Sequence, residues 1–283
     1  MSATDVARDL ARELGLADAE PVTIADRSNL VLRVGPVIAR VAMATSMVRV
    51  GTAWLEREVK LTRFLAAREV GVTRPLAGPF ERGGFVISFW EAEDVLAPPD
   101  ALAFAAQAGA ELRRAHEALA GYREALPLWG GFEEAREVLP RAKAAMTAAE
   151  RDIVDRAWER AELVVASARG RSASFQAIHG DAHIGNVLWT RRGALWTDWE
   201  DAFLGPIEFD LAALRSRAEL FGEDRDAIEA MTSAYGVVDR DLVRDLGLVR
   251  NVQVVPWLAI FAERLPDVLP RLRARLAKLA PDA

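Results

Sequence analysis

The sequence predicts a two-lobed α+β protein, with a small strand-rich front lobe carrying one helix and a larger, mainly helical back lobe. Three observations lead there. Short β-like runs dominate as far as residue 90. From Asp100 onward the chain is mostly alanine- and leucine-rich with helical spacing, interrupted once by β-like runs around residues 177–199. Between the two, Glu91-Ala92-Glu93-Asp94 and Pro98-Pro99 mark a change of character and a stiffened hinge. The expected division is 1–94 and 95–283.

The elements follow in order. Residues 4–15 have the spacing of a short amphipathic helix. Pro21 to Ala25, Leu30 to Val34 and Val37 to Ala42 read as strands, the last two joined by a turn at Gly35-Pro36. Trp54 to Arg68 has helical spacing and stops before Gly71. Leu76 to Phe80 and Phe85 to Trp90 read as two more strands around Glu81-Arg82-Gly83-Gly84. Asn186 to Thr190 and Ala194 to Asp198 read as a hairpin whose three-residue loop is Arg191-Arg192-Gly193. Segments 216–241 and 251–279 look helical.

Composition narrows the function classes. The net charge of −6 and pI near 5.3 oppose a nucleic-acid partner, which needs a basic face. There is no cysteine, so disulfides, thiolate metal sites and a cysteine nucleophile are excluded. Met1 to Gly15 has no hydrophobic block of the signal-peptide kind, and Val252 to Ala262 is too short to span a bilayer, so no membrane partner and a cytoplasmic location are expected. No Walker-type phosphate loop and no serine-hydrolase elbow occur.

The densest chemistry is His179-Gly180-Asp181-Ala182-His183-Ile184-Gly185-Asn186, followed by Asp198 in Trp196-Thr197-Asp198-Trp199-Glu200. Counting outward from Arg192, Asn186 and Asp198 fall opposite each other at the open end of the hairpin, where opposed residues point to one side. An amide oxygen and a carboxylate suit Mg²⁺, a hard cation that takes oxygen ligands and keeps several waters. Asp181, on the preceding loop, is placed to orient an acceptor hydroxyl and take its proton. His179-x-Asp181-x-His183 also fits a metal hydrolase, but that reading leaves Asn186, Asp198, Arg40 and Glu58 unexplained.

His179-Gly180-Asp181 with Asn186 five residues after the aspartate resembles the catalytic loop of aminoglycoside phosphotransferases and choline kinases, a branch of the protein-kinase-like fold. Asp198-Trp199-Glu200 resembles the metal-binding segment that follows it, and Gly205-Pro206 and Asp210-Leu211-Ala212 continue the pattern. The resemblance implies a kinase that moves the γ-phosphoryl group of ATP or GTP to a small-molecule hydroxyl. It implies Asp181 as the base, Asn186 and Asp198 as the Mg²⁺ ligands, and Asp210 as a structural residue capping a helix that starts at Leu211. His179 and His116 would be structural as well.

The front lobe adds a cation and its carboxylate. Arg40 is the one charge in Val37-Ile38-Ala39-Arg40-Val41-Ala42, and Glu58 shares a helix face with Trp54, Leu61 and Leu65, where an unpaired carboxylate is costly. They are expected to pair, either holding nucleotide phosphates or bracing the lobe; the family position is often lysine, and arginine keeps the chemistry. Ala25-Asp26-Arg27-Ser28-Asn29 stands where a glycine-rich loop is expected and has no glycine, so Ser28 and Asn29 either contact phosphate or form a plain hairpin turn. His183, Glu200, Asp201, Trp257 and Glu263 are candidate acceptor contacts. An aminoglycoside is the named acceptor, with a sugar, amino alcohol, nucleoside or macrolide as alternatives; acidic helices suit a polycation, while Arg264, Arg271, Arg273 and Arg275 weaken a claim specific to one. A nucleotide-binding protein without catalysis is the reading from another class.

Overall fold

In the computed structural model the structure describes residues 1–26, 29–43, 49, 51–263 and 265–280, so Ser28 and Arg264 lie outside the described residues. The chain divides into two compact units, residues 1–97 with 188–200, and residues 98–187 with 201–283.

In the first unit, helix α1 (Ala3–Glu13) opens with a capping box in which Ser2 and Asp5 satisfy each other's backbone N–H groups. Its buried face, Ala3, Val6, Ala7, Leu10 and Ala11, packs on an antiparallel sheet of order β1-β2-β3-β5-β4. The strands are β1 (Val22–Asp26), β2 (Asn29–Val34), β3 (Val37–Ala42), β4 (Pro75–Arg82) and β5 (Phe85–Glu91). Gly35 takes φ 56°, which lets the β2–β3 turn close over two residues. Helix α2 (Ala53–Ala66) buries Trp54, Glu58, Leu61 and Leu65, the expected stripe.

The hairpin of β7 (Val187–Thr190) and β8 (Gly193–Trp196) is shorter than its sequence suggests. Its turn is the two residues Arg191-Arg192, with Gly193 at φ 92° already opening β8. Asn186 belongs to a 3₁₀ turn, Ile184–Asn186, and Asp198 lies beyond β8. The strand ladder therefore stops short of both residues, and the opposition counted from Arg192 does not extend to them.

The second unit holds α3 (Ala101–Leu119), α4 (Gly130–Ala144), α5 (Ala148–Arg171), the antiparallel pair β6 (Phe175–Ile178) and β9 (Phe203–Pro206), then α6 (Glu208–Phe221), α7 (Arg225–Tyr235), α8 (Arg240–Phe261) and α9 (Leu269–Leu279). Trp129 and Phe203, both buried, pack with Phe175 and Phe209. Helix boundaries here differ from expectation. Gly236 at φ 111° ends α7, and Asp239 caps two N–H groups of α8, so one helix runs through residues 240–261. Among the described residues no helix is long and apolar enough to cross a membrane.

Candidate active site

In the first unit, β3 is flanked by β2 and β5, and Arg40 pairs across the ladder with Val31 and Ser88. Its guanidinium meets three carboxylates. Nη1 donates to Glu58 Oε1 at 2.6 Å, and Nη2 donates to Glu200 Oε2 at 2.6 Å and to Asp198. Asn29, the first residue of β2, completes the cluster, its amide oxygen turned to Arg40 at 2.7 Å from Nη2 and 3.1 Å from Nε. Glu58 Oε1 also accepts from the backbone N–H of Trp199 at 3.1 Å, whereas its Oε2 is buried with no hydrogen-bond partner.

Three carboxylates share one guanidinium here, with Arg49 a second cation 3.8 Å from Glu200. Burial, with Asp198 nearby, pushes the Glu58 carboxyl up to about 7 against the pull of Arg40. Burial works against the Arg40 charge as well, but Asp198, Glu58 and Glu200 outweigh it and hold Arg40 well above its ordinary value. The Asp198 backbone sits at φ 67°, a left-handed conformation that non-glycine residues seldom adopt.

In the second unit one carboxylate organises the 179–181 loop. Asp210 is fully buried; its Oδ2 accepts from His179 N and its Oδ1 from Gly180 N, both at 2.8 Å. His116 Nε2 lies 2.9 Å from the same Oδ2, and its Nδ1 lies 2.7 Å from the Tyr235 hydroxyl. A carboxylate only accepts, so Nε2 is the donor to Asp210. Asp210 lies inside the first turn of α6, which starts at Glu208, so it braces the loop without being the helix cap the sequence suggested. Gly180 takes φ 84°, and a Cβ there would stand 2.2 Å from the Asp201 carbonyl oxygen. Only glycine fits that turn.

The loop presents Asp181. Its backbone N–H donates to His179 Nδ1 at 3.3 Å, and its carbonyl accepts from Asn186 Nδ2 at 3.0 Å, which settles the orientation of the Asn186 amide. The Asp181 carboxylate contacts Arg250 of α8 and lies 3.6 Å from His183 Nε2. Burial alone would raise this carboxyl, but Arg250 and then His183 hold it well below the usual carboxylate range.

A model of the phosphotransferase enzyme family matches residues 26–246. The chain belongs to the phosphotransferase enzyme family. Its fold, two-lobed and protein-kinase-like, is that of a phosphotransferase enzyme, and solved structures share it at low identity. An amicoumacin kinase, hAmiN, in complex with AMP-PNP, Ca²⁺ and Ami is similar over 97% of this chain and 93% of its own, with a TM-score of 0.71 at 15% identity. The choline kinase LicA from Streptococcus pneumoniae is similar over 96% of this chain and 97% of its own, with a TM-score of 0.70 at 12% identity. Among curated proteins, the serine/threonine protein kinase RdoA of Salmonella typhimurium is 36% identical over 93 residues, 32% of this chain. The match spans only 27% of that relative's length.

Of the candidate residues in this family member, Arg40, Glu58, Asp198, Glu200 and Asn29 form one cluster in the first unit, and Asp181, His183 and Asn186 form another in the second. Asn29 faces Arg40 from inside a strand, and Glu200 is buried against the same guanidinium. Asp201 lines the back of Gly180 through its carbonyl, Trp257 packs against Phe261 with ring centroids 5.7 Å apart, and Glu263 forms a surface ion pair with Arg141 at 2.8 Å. Sequence reasoning missed Arg250 and Tyr235. Arg250 had a usable signal, a charge interrupting a helix face of Leu246, Val249 and Val252, the same signal that found Glu58.

Asp198 of the first unit and Asn186 of the second each carry an oxygen of the kind a hard cation such as Mg²⁺ takes. Among the described residues no group of three or more histidine or acidic side chains could hold a metal ion.

Proposed function

We propose that the chain moves the γ-phosphoryl group of ATP or GTP to a hydroxyl of a small molecule. The observation that carries this reading is Arg40 on β3 locked to Glu58 of α2 and to Asp198, the cation, helix carboxylate and metal-side carboxylate that phosphoryl transfer uses. Residues 1–94 would bind the nucleotide, and residues 95–283 would carry the catalytic loop and the acceptor site. Arg40 would lie against nucleotide phosphates with Glu58 fixing its direction. Asp198 and Asn186 would hold Mg²⁺, which when bound neutralises charge on the phosphates.

Asp181 would accept a hydrogen bond from the acceptor hydroxyl. Its depressed pKa makes it a weak base, which suits a loose transition state in which positioning matters more than early proton removal. His179, Gly180 and Asp210 fix the loop that carries it. His183, Asp201, Trp257 and Glu263 remain proposed acceptor contacts.

A protein serine or threonine as acceptor is a second reading, favoured by the match to the protein kinase RdoA. Mg²⁺-dependent release of ADP or GDP, measured across aminoglycosides, sugars, amino alcohols, nucleosides, macrolides and a serine/threonine peptide library, tests both. Acceptor-stimulated release should vanish in Asp181→Ala and in Asp198→Ala while both variants stay folded. Arg40→Ala should raise the nucleotide KM or lower kcat by more than about tenfold. Full activity in Asp198→Ala would sink the metal assignment, and nucleotide binding without turnover on any acceptor would favour a non-catalytic protein.

A further inference from the structure

Asp181 and Arg250 meet within the second unit, and the contact is uneven. A guanidinium that braces a carboxylate commonly offers two nitrogens to its two oxygens. Arg250 does not. Its Nη2 contacts Asp181 Oδ1, and its Nη1 lies 3.5 Å from the Gly180 carbonyl oxygen. One side chain of α8 therefore touches both the backbone and the carboxylate of the loop. Asp181 Oδ2 lies 3.6 Å from His183 Nε2, beyond hydrogen-bond length, and among the described residues it makes no hydrogen bond. The Asp181 side chain keeps 25% of its surface exposed against 12% for Arg250, so the carboxylate is the more open of the two.

The helix that carries Arg250 is itself pinned. Asn251, the next residue of α8, accepts through Oδ1 from Ser216 Oγ of α6 at 3.0 Å and from Arg275 Nη1 of α9 at 2.7 Å. Leu246, Val249 and Val252, all fully buried, hold the same stretch of α8. The loop is thus gripped twice. Asp210 takes the N–H groups of His179 and Gly180, and Arg250 takes Asp181 and approaches the Gly180 carbonyl. The Asp210 contacts fix backbone alone. They leave the last torsion of Asp181 unset, and a carboxylate turns about that bond in a broad, two-fold well. Arg250 supplies the contact that sets it.

We infer that Arg250 is a positioning residue, holding Asp181 Oδ1 so that Oδ2 is left for the acceptor hydroxyl. This deepens the proposed phosphotransferase reading and rests on it. Arg250 itself stays off the reacting atoms. The hydroxyl donates to Oδ2, and its oxygen bonds to the γ-phosphorus as the bond from that phosphorus to the β-phosphate oxygen breaks. The nucleoside diphosphate leaves, and the hydroxyl proton passes to Oδ2 and on to solvent. A carboxylate free to turn would hold the hydroxyl in the wrong place for much of the time, and a misplacement of about 1 Å costs on the order of a hundredfold in rate.

Steady-state kinetics of the full-length protein with Mg²⁺ and ATP test this, using the acceptor of the panel above that most stimulates ADP release. Arg250→Gln should lower kcat by about a hundredfold while the KM for ATP changes less than about threefold and the thermal transition stays native. Added guanidinium ion should restore part of the lost rate in Arg250→Ala without moving its melting temperature. Arg250→Lys keeps the charge on Asp181 but gives up the second contact, and should fall about tenfold below the wild type. It decides the matter if the glutamine variant does not fold. Wild-type kcat in a folded variant overturns the assignment, as does a loss that tracks lost stability or falls on the KM for ATP alone. No turnover of any acceptor by the wild type sinks the kinase reading and the positioning role with it. Turnover abolished in Asp181→Ala but unimpaired in Arg250→Gln sinks the positioning role alone.

Discussion

Arg40 is asked to neutralise Glu58, Asp198 and Glu200 together, and the most deeply buried of the three gives way first. Glu58 titrates near 4.5 in an unfolded chain and at about 7 in the folded one. The folded protein therefore holds an extra proton across that interval, and the stability this group contributes is full below the unfolded value and declines as pH rises through about 7. Arg40 and Asp198 are the charges that bear on it. In metal-free buffer, urea midpoints at pH 5 and pH 8 should differ in the wild type and converge in Glu58→Gln. An unchanged difference in the variant would remove Glu58 as its source. The partners of Glu58 were legible because a carboxylate on an apolar stripe demands a cation and β3 supplied one. That Glu200 joins the cluster was not legible, because nothing in the spacing of Trp199-Glu200-Asp201 shows which side chain turns inward.

At the scale of elements, the loop at residues 179–181 is held from behind. Two of its N–H groups end on Asp210, and Asp210 is itself held by His116, which is held by Tyr235. Gly180 makes this possible by adopting a left-handed backbone against the Asp201 carbonyl. Gly180→Ala combines a disfavoured φ with a contact no side chain can make, and we expect a loss of about 2 kcal/mol or more together with most of the activity. Chemical denaturation and turnover measured on one preparation check this, and a variant with native stability and rate would show that the loop relaxes freely. In the front lobe the existence and order of the elements were readable from periodicity and from Gly and Pro. In the back lobe α4, α5 and β9 were not readable, though the helical character and the hairpin were. Helix ends in the back lobe were less so, because Asp239 and Gly236 act through capping geometry that apolar spacing does not register. The hairpin strands ran shorter than their apolar pattern because Gly193 joins the ladder and tightens the turn.

For the whole molecule, the informative feature is that the first unit is not one stretch of chain. Residues 188–200 return to it after ninety residues of the second unit. They are tied in by Trp196 N to the Gly71 carbonyl at 2.8 Å, by Leu96 N to the Trp189 carbonyl at 2.8 Å, and by Trp196, which is fully buried. A fragment of residues 1–97 should therefore be poorly soluble and lack a cooperative thermal transition, and joining residues 188–200 to its C-terminus through a flexible linker should restore one. A cooperative transition in the unextended fragment would show the hairpin to be dispensable.

The same interruption bears on ancestry. A single crossover near residue 97 between two relatives would give each offspring one parent's front lobe and the other parent's hairpin. Asp198 and its Arg40 partner would then be inherited from different sources. An exchange that kept Arg40 with Asp198 would have to carry two separated segments together, which makes this lobe a linked pair and not a cassette.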